Sequence, residues 1–426
     1  MNLNRKPQPG ITSVESFNLQ KPEKFILDNG IPVYTIDSGT EDVVKIELVF
    51  RAGSWYQPQS MIAVSANALM KEGTLHFSSD EISEKLDFYG AFLETNSEKD
   101  NAVITLYSLN KHLPTLLPLL EEIIKHPVFP EHEMQVYLQR DRQHFIINSQ
   151  KVKYLARRKF FEVIFGASHP YGRMMTLEKY EQIDRQLIAD FHQYHYFAQN
   201  CRMIVSGKVG NNLVALMNQY FGGNDWSADN TIIANACPIQ PNPEHHYQIS
   251  KPDALQSAIR MGKPWVTRLH PDFAGLQFLV TLFGGYFGSR LMTNIREDKG
   301  YTYDINAMAI SHLQAGYFCI SSEVGTEVAD KAVEEIKLEL HKLQDEKVKK
   351  KELNLVRNYL LGSFLRGIDG PFELGLRFRR VMELDMDMDY YNRYLDTIKS
   401  VTAQQLQDLA QQYLNEEEMW LVVAGK

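Results

Sequence analysis

Two hydrophobic periods alternate along this chain. Val44, Ile46, Leu48 and Phe50 are separated by Lys45, Glu47 and Val49, the two-residue rhythm of a half-buried strand. Leu116, Leu120 and Ile123 recur at helical spacing before Pro127, and Val333, Ile336, Leu340 and Leu343 do the same later. Phe25–Thr35 predicts a strand pair folded at Asn29-Gly30, a hairpin-turn dipeptide. Ala63–Met70 is apolar at helical spacing and stops at Gly73. Ser78 and Glu81 form a capping-box pattern ahead of Ile82, Leu86 and Tyr89. Ala102–Leu109 and Arg202–Val205 predict further strands. Pro130 opens a long charged helix that the pattern carries toward Phe165.

The plan occurs twice. Leu187–Tyr196 followed by CRMIVSGK is echoed by Gln405–Tyr413 followed by MWLVVAGK. Self-similarity at this period predicts a duplicated domain of roughly 200 residues per copy. Gly222, Gly223, Pro238, Pro241 and Pro243 mark a linker. The expected organisation is an arm over residues 1–24, a first domain over 25–222, a linker over 223–244 and a second domain over 245–426. Strands and helices mix without strict alternation, which predicts the α+β class.

Composition narrows the function classes. The chain has 426 residues and a formal net charge of −8, which argues against a large phosphate-binding surface such as nucleic-acid binding needs and leaves room for a local basic groove. Neither an 18-residue apolar run nor an apolar secretory leader is present, so no membrane span is expected and the cytoplasm is the expected compartment. Cys201, Cys237 and Cys319 are far apart and odd in number, the pattern of thiols rather than a disulfide framework.

Candidate chemistry is sparse. His132-Glu133 opens like an H-E-x-x-H motif, but Val136 stands where its second histidine belongs. His192 and His195 share a predicted helix face, where packing or a surface role is the simpler reading. His245-His246 ends the linker. Gly284, Gly285 and Gly288 lack the Gly-Lys-Ser/Thr of a phosphate loop and point instead to close helix–sheet approach. Gly362, Gly367 and Gly370 predict a break or hinge near Phe364, and Glu346–Glu352 predicts a solvated helix face.

A family resemblance rests on short motifs in order: Leu27-Asp28-Asn29-Gly30, Arg51-Ala52-Gly53-Ser54, Glu72-Gly73-Thr74, His169-Pro170-Tyr171-Gly172, Ser289-Arg290-Leu291 and Ile295–Gly300. From about Phe25 to Lys426 the sequence resembles the inverzincin peptidases, the family of pitrilysin, insulin-degrading enzyme and mitochondrial processing peptidase. The resemblance implies two homologous processing-peptidase-like domains facing each other, half of a clam shell. Active members carry H-x-x-E-H just before the Gly-Thr pair, with two histidines on zinc and a glutamate as general base.

Counted back from Gly73-Thr74, that motif falls on Val64-Ser65-Ala66-Asn67-Ala68. The ligand positions hold Val64 and Ala68, and the base position holds Asn67. The third ligand, a glutamate in the family, falls near His144 or Phe145. A hydrocarbon side chain has no lone pair for a metal, and an amide takes no proton at neutral pH. No catalytic residue and no metal are therefore expected on the isolated chain.

The resemblance also supplies a second pair. Active complexes use an Arg and a Tyr seven residues apart to reach the substrate near its scissile carbonyl, and Arg296 and Tyr303 have that spacing. A developing oxyanion needs such preorganised donors. Tyr301 is a nearby decoy. A surface ion pair of Arg296 with Glu297 or Asp298, and a core position for Tyr303, are the plain alternatives. The region Glu94–Ser97 matches a strand that, in active relatives, pairs with the substrate backbone. The implied role is a non-catalytic subunit of a heteromeric peptidase, acting on peptides beside a family paralogue that holds the zinc. The alternative is a non-enzymatic scaffold or peptide-binding homodimer.

Overall fold

In a computed structural model the described residues are 19–228 and 231–426; most of the expected arm lies outside them. Six strands form the first sheet: β1 (Glu23–Ile26), β2 (Pro32–Asp37), β3 (Val43–Phe50), β4 (Phe92–Ser97), β5 (Ala102–Leu109) and β6 (Cys201–Gly207). Their order is β1-β2-β6-β3-β5-β4. Five strands form the second: β7 (His246–Ser250), β8 (Gln256–Trp265), β9 (Thr302–Ser311), β10 (Gly316–Gly325) and β11 (Trp420–Gly425), in the order β7-β11-β8-β10-β9. With β1 set aside, the two orders coincide strand for strand. Each begins with a parallel pair, β2/β6 or β7/β11, and continues antiparallel. The echoed octapeptides CRMIVSGK and MWLVVAGK supply β6 and β11, the same place in each sheet. The two domains close on each other like a clam shell.

Local signals account for most elements. β1 and β2 pair antiparallel across Asn29-Gly30, where Gly30 adopts φ 92°. Ser78 accepts from the Glu81 N–H while the Glu81 carboxylate accepts from the Ser78 N–H, closing the capping box. At Gly284 a Cβ would come within 2.6 Å of the Ala307 nitrogen on β9, so the close helix–sheet approach there demands glycine.

Each sheet packs helices of its own half on one face. Leu113–Lys125 and its neighbours serve the first sheet, and Phe273–Gly284 and Ala329–Asp345 the second. The opposite faces are covered by exchange. Helix Val152–Phe165, from the first half, lies on β8 and β11. There Ala156, Phe160, Ile164 and Phe165 pack with Ala258, Cys319, Val422 and Ala424. Helix Pro371–Met382, from the second half, lies on β6 and β2. Ile36, Val49, Val103 and Ile204 of the first sheet thereby join the core that contains Phe378 and Val381.

This exchange corrects three expectations. β3 is buried on both faces rather than one: Lys45 and Glu47 pair at 3.0 Å under the second half's helix, with side chains 8% and 3% exposed. The charged helix opened by Pro130 stops at Asn148, and Lys151 is extended, so that Val152–Phe165 can turn onto the other sheet. Gly362 does not break its helix, which runs Lys350–Arg366; the break falls at Gly367–Gly370. Gly370 has φ 94°, and Pro371 starts the next helix.

The exchanged helix Pro371–Met382 carries a charge into the junction. Arg379 Nε lies 3.7 Å from Glu47 and 3.9 Å from Glu383, and its Nη2 lies 3.5 Å from Glu98. Burial pushes the Glu383 carboxyl up to about 7, Arg379 opposes it, and Glu98, Asp100 and Glu47 add to it. The folded state then holds a proton that the unfolded chain, near 4.5, has already released. Stability from this group is full below that value and is lost as pH rises to 7, by about 3 kcal/mol. Urea denaturation at pH 5 and pH 8 should show that loss, and Glu383→Gln should flatten it. An unchanged pH slope in the variant would remove Glu383 as its source.

Candidate functional site

The zinc-motif positions lie on helix Ile62–Leu69, packed against β4 and the helix Arg185–His195. Val64 and Ala68 are half-buried, whereas Asn67 is buried. The Asn67 amide donates to the Tyr196 hydroxyl at 3.2 Å, and burial pushes the Tyr196 pKa upward. The position of the family's general base is therefore a structural hydrogen bond between two buried side chains. On the long helix, His144 is exposed and Phe145 packs its ring 5.8 Å from that of Tyr180. One turn earlier, Asp141 accepts from the Tyr180 hydroxyl at 2.5 Å. Among the described residues no three His, Cys, Asp or Glu side chains group to hold a metal ion. An isopropyl, a methyl and an amide do not fit zinc.

The histidine pair expected to pack does so. His192 Nε2 lies 2.9 Å from the Ile124 carbonyl, and His195 Nδ1 lies 3.0 Å from that of Arg51. Burial lowers both pKa values to about 4. They are neutral rings stacked among Tyr196, Phe191 and Tyr56. His132 is exposed, and His245 stacks on Trp420 at 4.3 Å.

Arg296 and Tyr303 are brought together. Arg296 sits in a π-helical turn, Met292–Asp298, a geometry that occurs mostly as short, frequently functional insertions. Its guanidinium lies 4.8 Å from the Tyr303 ring centroid and 4.6 Å from that of Phe287. Tyr303 is 83% exposed on β9, the outer strand of its sheet. Its ring is not in the core, and among the described residues Arg296 makes no ion pair with Glu297, Asp298 or any other carboxylate within 4.0 Å. The nearby Lys299 pairs with Glu335 at 2.8 Å instead. Tyr301 packs against the core of the second half. Phe287, 61% exposed, escaped the sequence reading; an aromatic side chain directly before Gly288-Ser289-Arg290 was its only signal.

β4, which contains Glu94–Ser97, is the outer strand of the first sheet and, among the described residues, pairs only with β5. One edge of its main chain therefore has no strand beside it.

Other motif residues hold the two halves together. Asp100 follows β4, accepts from the buried Tyr171 hydroxyl, and also accepts from the Leu313 N–H of the second half at 2.9 Å. Gln314 N–H donates to the Tyr171 hydroxyl at 3.3 Å. Gly53 lies so close beneath Asp100 that a Cβ there would meet its carbonyl carbon at 2.4 Å. Within the second half, Arg290 forks onto Glu352 at 2.8 and 3.0 Å.

Comparison with known proteins places this geometry. The family described as "Insulinase (Peptidase family M16)" matches residues 32–158, and "Peptidase M16 inactive domain" matches residues 182–360. The chain belongs to the M16 peptidase family. An "uncharacterized zinc protease" of Rickettsia bellii is 23% identical over 81% of this chain and 82% of its own length. A "non-peptidase homolog YmxG" of Helicobacter pylori is 23% identical over 75% and 74%. The fold matches the crystal structure of a peptidase M16 inactive domain from Pseudomonas fluorescens, with a TM-score of 0.86 and 21% identity over 95% of this chain and 98% of that one. It also matches the periplasmic protease PqqL of Escherichia coli, with a TM-score of 0.78 and 16% identity over 100% of this chain and 49% of that one. The inactive-domain match and the non-peptidase relative support a non-catalytic M16 member without a catalytic zinc of its own. Among the described residues no helix is long and apolar enough to cross a membrane.

The Asn67–Tyr196 contact carries a testable cost. Asn67→Ala leaves a buried hydroxyl without that partner, and denaturant titration should show a loss of about 1–3 kcal/mol. Unchanged stability would mean that the contact contributes nothing.

Proposed function

We propose that this chain is the non-catalytic subunit of a heteromeric M16 peptidase. It forms half of a peptide-binding chamber, and a zinc-bearing paralogue supplies the metal and the general base. Arg296 and Tyr303 reach the substrate at the bond to be cleaved. One juxtaposition carries the reading: a guanidinium and a phenol are held together on an exposed sheet edge, while Val64 and Ala68 occupy the ligand positions.

The chemistry follows from the two groups. The guanidinium keeps a fixed charge and several N–H donors, and its stacking between two rings restricts where they point. The phenol adds a rigid O–H donor. Together they can polarise a peptide carbonyl, while β4 offers main-chain groups for pairing with an extended peptide. The residues of this chain perform no step of metal chemistry. A cytoplasmic setting belongs to the same proposal and is supported by three cysteines that form no disulfide.

A second reading is a non-enzymatic, peptide-binding homodimer. It is favoured by the outer strands β4 and β9, which can bind main chain without chemistry. Purification from native extract separates the two: a stoichiometric H-x-x-E-H relative supports the first, and self-association alone supports the second. In the reconstituted pair, Arg296→Ala should lower turnover about a hundredfold, the ~3 kcal/mol of a lost oxyanion donor, with assembly intact by sedimentation. Unchanged turnover would remove the role.

A further inference from the structure

A cavity of about 570 Å³ opens between the two halves, and its lining is one-sided in charge. Lys99, Arg157, Arg158 and Arg173 come from the first half and Arg260 from the second, and among the described residues no Asp or Glu lines the cavity. This contrasts with a chain whose formal net charge is −8. Two of the cations are occupied by the protein itself. Arg158 donates to the Met175 carbonyl and lies over the Phe145 and Tyr154 rings. Arg173 donates to the Gln57 and Pro58 carbonyls at 3.3 Å.

The other three have no carboxylate within ion-pairing distance among the described residues. Lys99 is depressed from its ordinary pKa, first by burial and then by Arg157, with Asp100 opposing. Asp100 is nonetheless committed elsewhere, to Tyr171 and Leu313. Arg260 is the clearest case: it is only 9% exposed, stands in the middle of β8, and lines the cavity. Its neighbours across the strands are Val422 and Ser321, and the Ser321 hydroxyl donates to Asn306 at 2.9 Å. A buried guanidinium with no carboxylate in direct contact is costly, and its complement on the side of the larger cavity is an anion from outside.

The same wall connects to the Arg296/Tyr303 edge. Arg260 and Met308 also line a neighbouring cavity of about 380 Å³ whose walls include Tyr303 and the carboxylates of Asp304 and Glu323, neither of them within ion-pairing distance of Arg260. Tyr303 and Met308 lie five positions apart on β9, roughly 16 Å at the strand rise. An extended peptide held at Tyr303 would reach the cationic cavity with a residue about five positions along. The aromatic walls of the cavity, Tyr154, Phe161 and Tyr317, suit a peptide segment better than a free inorganic ion.

We infer that this cavity is a carboxylate subsite, taking an Asp or Glu side chain, or a C-terminal carboxylate, of a peptide bound between the halves. Lys99, Arg157 and Arg260 supply the charge. The inference rests on the peptide-binding reading above and adds a specificity to it.

The test is binding of the full chain to an array of ten-residue peptides of unbiased composition, repeated with Lys99→Gln/Arg157→Gln and with Arg260→Gln. The first variant changes half-exposed and exposed side chains, so it tests the site even if the buried substitution fails to fold. The expected result is enrichment of Asp, Glu or a free C-terminus at one region of the bound peptides. Replacing that acid by its amide should weaken binding about tenfold, and the double variant should lose the preference while still binding neutral peptides. Bound peptides with no acidic preference would overturn the subsite but leave the peptide-binding reading standing. No peptide binding at all would overturn both. Binding of inorganic phosphate that Lys99→Gln/Arg157→Gln abolishes, without acidic preference among peptides, would assign the cavity to a small anion and overturn the carboxylate assignment.

Discussion

Each sheet of this protein finishes its core with a helix from the other half. Val152–Phe165 buries Ala156, Phe160, Val163, Ile164 and Phe165 against the second sheet and its surroundings. Four large apolar side chains at ~2 kcal/mol each give ~8 kcal/mol, within the range of an entire domain's stability. Helix Pro371–Met382 returns the arrangement on the first sheet. The halves are therefore repeats by topology and one unit by packing. The interlock also sets two sheet faces toward one shared interior, where Asp100, Tyr171 and Leu313 fasten the junction.

That constraint separates architecture from chemistry at the level of single residues. Gly53 and Tyr171 belong to the motifs that carry the family resemblance, and both sit at the junction. Replacing either would disturb the approach of the halves. Val64, Asn67 and Ala68 stand on a helix that packs equally well without ligands. Asn67 makes a structural bond to Tyr196 there. The frame does not require the metal, so a chain can keep the first while lacking the second. The Arg296/Tyr303 pair depends on neither the metal helix nor the junction, being set by a π-helical turn and an outer strand of the second half.

Much of this was legible from periodicity. The twofold repeat, the hairpin at Asn29-Gly30 and the capping box at Ser78 are local signals, and local physics decides them. What escaped the sequence was decided by contacts between the halves. Lys45 and Glu47 mimic a solvent face because their cover arrives from more than 320 residues downstream. The charged pattern runs through Ser149 toward Phe165, because nothing local announces that its continuation must cross to another sheet. Likewise Lys99, Arg157 and Arg260 are scattered in sequence and converge only when both halves close. Arg296 and Tyr303 were legible as a spacing; the ring of Phe287 that completes their stack was not.

On the proposed function, a peptidase body works here without a metal of its own, beside a chain that has one. Peptide hydrolysis and bound zinc should be measured on the pure chain, on a zinc-bearing M16 relative from the same genome, and on their equimolar mixture. The expected result is no zinc and no hydrolysis for the pure chain, with hydrolysis by the mixture well above that of the relative alone. Hydrolysis by the pure chain that a chelator abolishes and stoichiometric zinc restores would contradict it.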